Sequence, residues 1–144
     1  MENVSKPIVA LVLVLTVVVA GCKKTDAPQS PSPEPEALSR TEFTQRIENY
    51  FEYEPLRSGK ASPVRIHLTD LSDGSPVEKA EVTLTVRPKG SETQIVQTTS
   101  RIGKVTGIYV AELTVPRPGD YDIEFHIKNA KLDERLPLSD FKVE

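Results

Sequence analysis

The chain has 144 residues and a formal net charge of −3, with one cysteine, one methionine and no tryptophan. This mild acidity gives no support to nucleic-acid binding, which requires a concentrated basic surface. A single cysteine excludes a disulfide within the chain, so the folded part depends on packing for its stability, and the length suits one domain of ordinary size.

An uncharged apolar run covers residues 8–22, with Lys6 before it and two lysines directly after it. The run is short for a transmembrane helix, and its basic start and small-residue exit are typical of a secretory signal. Its end, Val19, Ala20, Gly21 and Cys22, resembles the lipobox of bacterial lipoproteins. In that family the chain is cut before the cysteine, which then carries a diacylglycerol and an acyl chain. The alternatives are a plain transmembrane anchor and a signal cut elsewhere.

Residues 23–41 carry four prolines among serine, glutamine and glutamate. This stretch has almost nothing apolar to bury, so we expect an unfolded, semi-rigid spacer, in which residues 37–38 begin a short helical turn. The predicted organisation is a signal peptide over 1–21, a lipidated Cys22 with a tether over 22–41, and a folded domain over 42–144. The lipid would hold that domain on a bacterial membrane, facing the periplasm or the cell exterior.

From residue 42 the hydrophobic pattern has a period of two, which indicates half-buried β-strands. The predicted strands cover residues 47–54, 63–68, 80–87, 94–99, 108–115, 120–128 and 136–143, and residues 129–135 form a polar loop. In the first strand Asn49 shares the inward face with Ile47 and Phe51. Glu48, Glu52 and Glu54 share the outward face with Tyr50.

About seven strands separated by turn signals predict an all-β fold, an immunoglobulin-like antiparallel β-sandwich. Gly119-Asp120-Tyr121 fits the tyrosine corner, in which a tyrosine near the start of the sixth strand bonds to upstream backbone. The chain lacks the tryptophan and paired cysteines of an antibody domain, so we expect a looser relative of that fold.

A structured loop follows the second predicted strand. It consists of Asp70, Leu71, Ser72, Asp73, Gly74, Ser75 and Pro76, and leads into Val77. With Gly107-Ile108-Tyr109 and Pro118-Gly119-Asp120-Tyr121, this region resembles the YtkA-like domain, a small exported immunoglobulin-like fold. A closer resemblance, carried by Tyr53-Glu54-Pro55-Leu56, Gly59 and residues 67–73, is to the N-terminal domain of heavy-metal efflux adaptors, the membrane fusion subunits of RND pumps.

The resemblance covers about residues 43–128 and implies a non-catalytic interaction domain that serves an efflux assembly in the cell envelope. Those adaptors continue into a lipoyl-like hybrid, a coiled-coil hairpin and a β-barrel. We therefore expect this domain to act alone or as one piece of a split adaptor. A partner protein would contact a sheet edge or the loop from Asp70 to Val77.

His67 and His126 are the only histidines, and both face outward on their predicted strands. Imidazole binds copper and zinc well, so a second hypothesis is a small periplasmic metal-binding protein that uses this pair. The alternative is two solvated polar positions. Asp70, Asp73 and Gly74 resemble part of a calcium loop without its distal glutamate, so we predict that the aspartates cap turns.

The sequence contains no Ser-His-Asp arrangement, glycine-rich phosphate loop or CxxC motif. The glutamates at 48, 52 and 54 are predicted to form an exposed strand face. We therefore expect a protein that is not an enzyme and has no cofactor beyond the covalent lipid. A third hypothesis is a structural envelope lipoprotein without a ligand.

Overall fold

The computed structural model describes residues 36–144, so the predicted signal, the lipobox with Cys22 and most of the predicted tether lie outside the described residues. The described part contains β1 (Leu38–Phe43), β2 (Ile47–Tyr53), β3 (Ala61–Asp70), β4 (Glu81–Pro88), β5 (Val96–Thr99), β6 (Arg101–Ile102), β7 (Ile108–Thr114), β8 (Gly119–Lys128) and β9 (Asp133–Val143). Among these residues, no helix is long and apolar enough to cross a membrane.

The strands form two antiparallel sheets, a five-stranded sheet in the order β1-β2-β3-β7-β6 and a four-stranded sheet in the order β5-β4-β8-β9. The domain is therefore the predicted immunoglobulin-like antiparallel β-sandwich. The first, second and fifth predicted strands share one sheet, and the fourth, third, sixth and seventh share the other. This division differs in one strand from that of an immunoglobulin constant domain, because the fourth predicted strand here lies in the sheet of the third, sixth and seventh.

The core lies between the sheets, where alternate residues of each strand meet. Ile127 and Val82, directly paired across β8 and β4, are both fully buried. Phe51 of the first sheet contacts Phe125 of the second, with ring centroids 4.9 Å apart. Asn49 lies on the inward face as predicted and has no exposed surface. Burial of these alternating side chains is the main force that holds the two sheets together.

Three segments differ from the sequence prediction. β1 begins at Leu38, inside the predicted tether, so residues 38–41 form a strand and not a spacer or a helical turn. β6 is a two-residue strand that was not predicted. β9 begins at Asp133, so the predicted loop over 129–135 is shorter. All three segments belong to edge strands, which face water on one side, so the alternating hydrophobic signal is weak there.

The two open sides of the sandwich are covered differently, one by a backbone crossing between the sheets and the other by the Arg40 side chain. Between β5 and β6 the chain crosses from one sheet to the other through Ser100. On the opposite side Arg40 of β1 points inward, with its guanidinium 4.9 Å from the Phe141 ring centroid and a 3.0 Å hydrogen bond to the Ser139 carbonyl of β9. Glu42 accepts from the same guanidinium at 2.6 Å. Arg40 thus covers the gap between the two edge strands.

The two ends of the sandwich differ in what they carry. The end called the base holds Leu38, where β1 begins, and Glu144, whose carbonyl accepts from the Ser58 amide at 2.7 Å. The tyrosine corner also lies there, because the Tyr121 hydroxyl donates to the Arg117 carbonyl at 2.9 Å as predicted. The opposite end, called the tip, holds the loops over residues 71–80 and 129–132.

Candidate partner-binding groove

The loop after β3 is organised by its own aspartates. The Asp70 carboxylate accepts from the Ser72 amide at 2.9 Å and from the Ser72 hydroxyl at 2.6 Å. The Asp73 carboxylate accepts from the Ser75 amide at 2.9 Å. These hydrogen bonds hold the pKa of Asp70 and the pKa of Asp73 below the ordinary range. The predicted turn capping by both aspartates is confirmed.

The buried Tyr109 of β7 fixes the far side of this loop. Its hydroxyl donates to the Val77 carbonyl at 2.7 Å and accepts from the Ala80 amide at 3.0 Å. Lys79, one of the two residues between them, has a φ of 50°, an uncommon conformation for a residue other than glycine. The sequence placed Tyr109 in a predicted strand, but its hydroxyl contacts could not be predicted, because they depend on how β7 passes beneath the loop.

Gly107 brings the next turn against the same loop. Its φ is +79°, and a Cβ built there would lie 2.5 Å from Cβ of Pro76. Its carbonyl accepts from the Leu68 amide at 2.9 Å, and the Leu68 carbonyl in turn accepts from the Val77 amide at 2.9 Å. Only glycine fits this close approach without displacing the loop.

The β8–β9 loop forms the second wall. The Asn129 side chain accepts from the amides of Lys131 at 2.8 Å and Leu132 at 3.0 Å, and donates to the Glu78 carbonyl across the gap at 3.0 Å. Arg46 donates to the Lys131 carbonyl at 3.1 Å. The sequence indicated only a polar loop here, because the single asparagine that organises it has no distinguishing pattern.

Between these two loops lies a groove of about 510 Å³. We call it the tip groove; it is lined by Asp70, residues 75–79 and residues 129–132. Lys79 lies on one wall and Lys131 on the other, and neither has an ion-pair partner within residues 36–144. The groove combines such charges with an apolar floor at Val77 and Leu132, both buried.

The predicted partner loop contributes only part of this groove. Asp70, Ser75 and Pro76 line it, whereas Ser72, Asp73 and Gly74 in the intervening turn do not. Leu71 in that turn is 45% exposed. A protein that contacts the loop would therefore meet both groove-lining residues and the exposed Leu71 side chain.

The two histidines face outward, as predicted, but on different sheets. His67 of β3 lies on the outer face of the five-stranded sheet, with Nε2 3.8 Å from Oε2 of Glu52. His126 of β8 lies on the outer face of the four-stranded sheet, with Nε2 2.6 Å from Oδ1 of Asp133. The sandwich core separates these faces, so the fold does not bring the proposed copper or zinc pair together. No cluster of three or more His, Cys, Asp and Glu side chains suited to a metal occurs in residues 36–144.

Asp133 is the centre of a small ionic cluster on that second face. Lys128 donates to its other oxygen at 2.9 Å. The hydrogen bonds from Lys128 and then from His126 lower the pKa of Asp133 to about 2. This arrangement gives the Lys128 and His126 side chains a structural partner and accounts for the outward position of His126.

The glutamate row on β2 lies on the outer face as predicted. Tyr50 donates to Glu52 at 3.1 Å, and its ring meets His67 edge-on with centroids 5.3 Å apart. A shallow depression of about 380 Å³, which the sequence did not predict, lies beside Glu52 and Glu54 and is also lined by Arg65. The carboxylates there lie beside cations and form a mixed-charge surface.

In comparisons with known proteins, no family model, curated relative or solved structure matches the chain. The resemblance to YtkA-like and efflux adaptor domains therefore stays a prediction.

Proposed function

We propose that the chain is a lipid-anchored envelope protein whose immunoglobulin-like domain binds an exported protein through the tip groove, without catalysis. The supporting observation is the position of the groove. The chain enters β1 at Leu38 in the base, and the groove lies at the opposite end. An anchor on Cys22 would connect to the domain at the base, through the chain that enters β1, and leave the tip free to meet a partner.

The construction of the groove supports a binding role. Both walls are fixed by hydrogen bonds between the Tyr109 and Asn129 side chains and loop backbone. A surface that is already ordered loses less conformational entropy when a partner binds, so more of the contact energy contributes to affinity. Exposed Leu71 beside the groove adds apolar area of the kind that partners bury.

The proposed partner class is a component of a heavy-metal efflux assembly, and this part of the proposal comes from the sequence resemblance. A small periplasmic copper- or zinc-binding protein is less well supported, because His67 and His126 lie on opposite outer faces. A structural lipoprotein without a ligand is the remaining alternative, and the experiment below separates it from a binding module.

The test of binding uses the full chain recovered from envelope membranes of its producing cell. Ala130 lines the tip groove, and Ala61 is exposed at the base beside another depression. Ala130→Arg fills the groove and is expected to abolish co-purification of efflux components, whereas Ala61→Arg retains it. Equal recovery with both variants, or no efflux component with the wild type, would reject this function.

The anchor is tested separately by intact mass spectrometry of the chain from the membrane fraction. We expect loss of residues 1–21 and a mass increase on Cys22 that corresponds to a diacylglycerol and one acyl chain. A Cys22→Ser variant should accumulate uncleaved. An unmodified thiol, or an intact leader in the wild type, would contradict the anchor and leave the groove proposal to its own test.

A further inference from the structure

The four edge strands of the sandwich are not equally protected against pairing with another strand. β5 has four residues and β6 has two, which is too short for an extended ladder. β9 carries Pro137 and a bulge at Asp140, whose φ is 69°. Prolines and bulges are the usual devices that block an edge. β1 has six residues with neither device, and within residues 36–144 no strand pairs with its outer side.

The register of β1 on β2 identifies which backbone groups are free. The Thr44 amide donates to the Ile47 carbonyl at 2.9 Å, just beyond the last pair, Phe43 with Glu48. Hydrogen-bonded pairs alternate in an antiparallel ladder, so residues 38, 40 and 42 bond to β2. The amides and carbonyls of Ser39, Thr41 and Phe43 therefore point away from the sheet.

We propose that β1 pairs with β1 of a second copy of this chain, antiparallel about a two-fold axis at Thr41. This register places Thr41 opposite Thr41 and Ser39 opposite Phe43. These are the three residues with free backbone groups, so the new ladder contains six hydrogen bonds. Two five-stranded sheets then become one continuous sheet, and the exposed Phe43 side chain gains a neighbour.

Charge supports the same register. Inward-pointing charges commonly protect an edge, because an added strand brings unmatched charge beside them. Here the two-fold axis sets Arg40 of each copy directly opposite Glu42 of the other, in the non-hydrogen-bonded positions where side chains lie closest. Within one copy Arg40 already bonds Glu42, through one carboxylate oxygen only. The second oxygen is available for the partner's arginine.

A single strand pair buries less area than an interface that is stable in dilute solution, so we expect the pairing to be weak. It is therefore measured in membranes of cells that produce the full chain, where anchoring raises the effective concentration. Thr41→Cys places two thiols opposite each other, and a short bifunctional maleimide should link them. Ser39→Cys is the matched control, because its thiols lie roughly 14 Å apart along the ladder. The parent chain, with Cys22 alone, shows any background.

We expect roughly tenfold more linked homodimer from Thr41→Cys than from Ser39→Cys, because only the first pair is within reach. Adding Arg40→Glu should remove the product, since it sets like charges opposite each other. Adding Arg40→Glu and Glu42→Arg together should restore it, and circular dichroism checks that each variant is folded. Equal linking at 39 and 41, a linked product with another protein, or no recovery in the charge swap would overturn the proposal.

Discussion

The tip and the base of the sandwich each use one tyrosine hydroxyl to hold a loop, yet they differ in how completely the loop is fixed. At the tip, Tyr109 is 1% exposed and its hydroxyl makes two hydrogen bonds. At the base, the Tyr121 hydroxyl makes one, to Arg117. The tip also has Asn129 joining its two loops. The comparison indicates that the fold fixes the tip more firmly than the base, where β1 begins and β9 ends.

The strongest test of this difference is a pair of glycine substitutions. Gly107→Ala at the tip introduces a Cβ that overlaps Pro76 and also strains a positive φ, so we expect it to lower the free energy of unfolding by about 3 kcal/mol. Gly59→Ala at the base has a φ of +71° but no atom near its new Cβ. It should cost only about 1 kcal/mol. Urea unfolding measures both, and equal losses would contradict the close tip packing.

The tyrosine pair gives a smaller effect. Tyr109→Phe leaves the buried Val77 carbonyl and Ala80 amide without their partner, so we expect a loss of about 2–3 kcal/mol. Tyr121→Phe removes one partly buried hydrogen bond and should cost about 1 kcal/mol. Thermal unfolding of both variants checks the order, and a larger loss at Tyr121 would reverse the comparison.

Removing the link between the loops should act mainly on the groove. Asn129→Ala deletes hydrogen bonds to Lys131, Leu132 and Glu78, and we expect a loss of about 1–2 kcal/mol with faster amide exchange at Lys131 and Leu132. Ser91→Ala at the base removes an exposed bond to the Thr93 amide and should change stability by less than about 0.5 kcal/mol. An unchanged amide exchange rate at Lys131 in Asn129→Ala would contradict the role of Asn129 in ordering this wall of the groove.

The smallest effect concerns Asp133, which follows the tip loop. Its pKa is lowered to about 2 by Lys128 and then His126, against an unfolded value near 4. A lowered folded pKa contributes stability that is complete above about pH 4 and is lost as the pH falls through about 2. Asp133→Asn should therefore lessen the acid destabilisation in this window. A carboxyl titration by NMR with an ordinary midpoint would contradict the cluster.

The sequence predicted well those parts of the fold in which one strand face is buried. The alternation over residues 120–128 predicted which side chains of β8 are buried. The hydrogen bond of Tyr121 to upstream backbone was predicted from its place in the Gly119-Asp120-Tyr121 motif. It failed at β1, where an arginine and a glutamate occupy the inward positions of an edge strand. Their role is to cover the gap beside β9, which exists only once both sheets are assembled.

The sequence predicted one of the two walls of the tip groove. The first wall, the loop after β3, was predictable because Asp70 and Asp73 each stand two residues before a serine whose amide they cap. The second wall, around Asn129, is distant in sequence and meets the first only through the sandwich topology. The same topology separated His67 from His126, which local pattern could not reveal.

The most direct test of the proposed role is site-specific photo-cross-linking of the full chain in its own envelope. A photoreactive residue at Glu78, in the tip groove, is compared with one at Lys60, at the base beside a second depression. We predict a discrete adduct with one envelope protein from position 78 and none from position 60. The same adduct from both positions, or an adduct only at position 60, would contradict the assignment of the tip as the binding end.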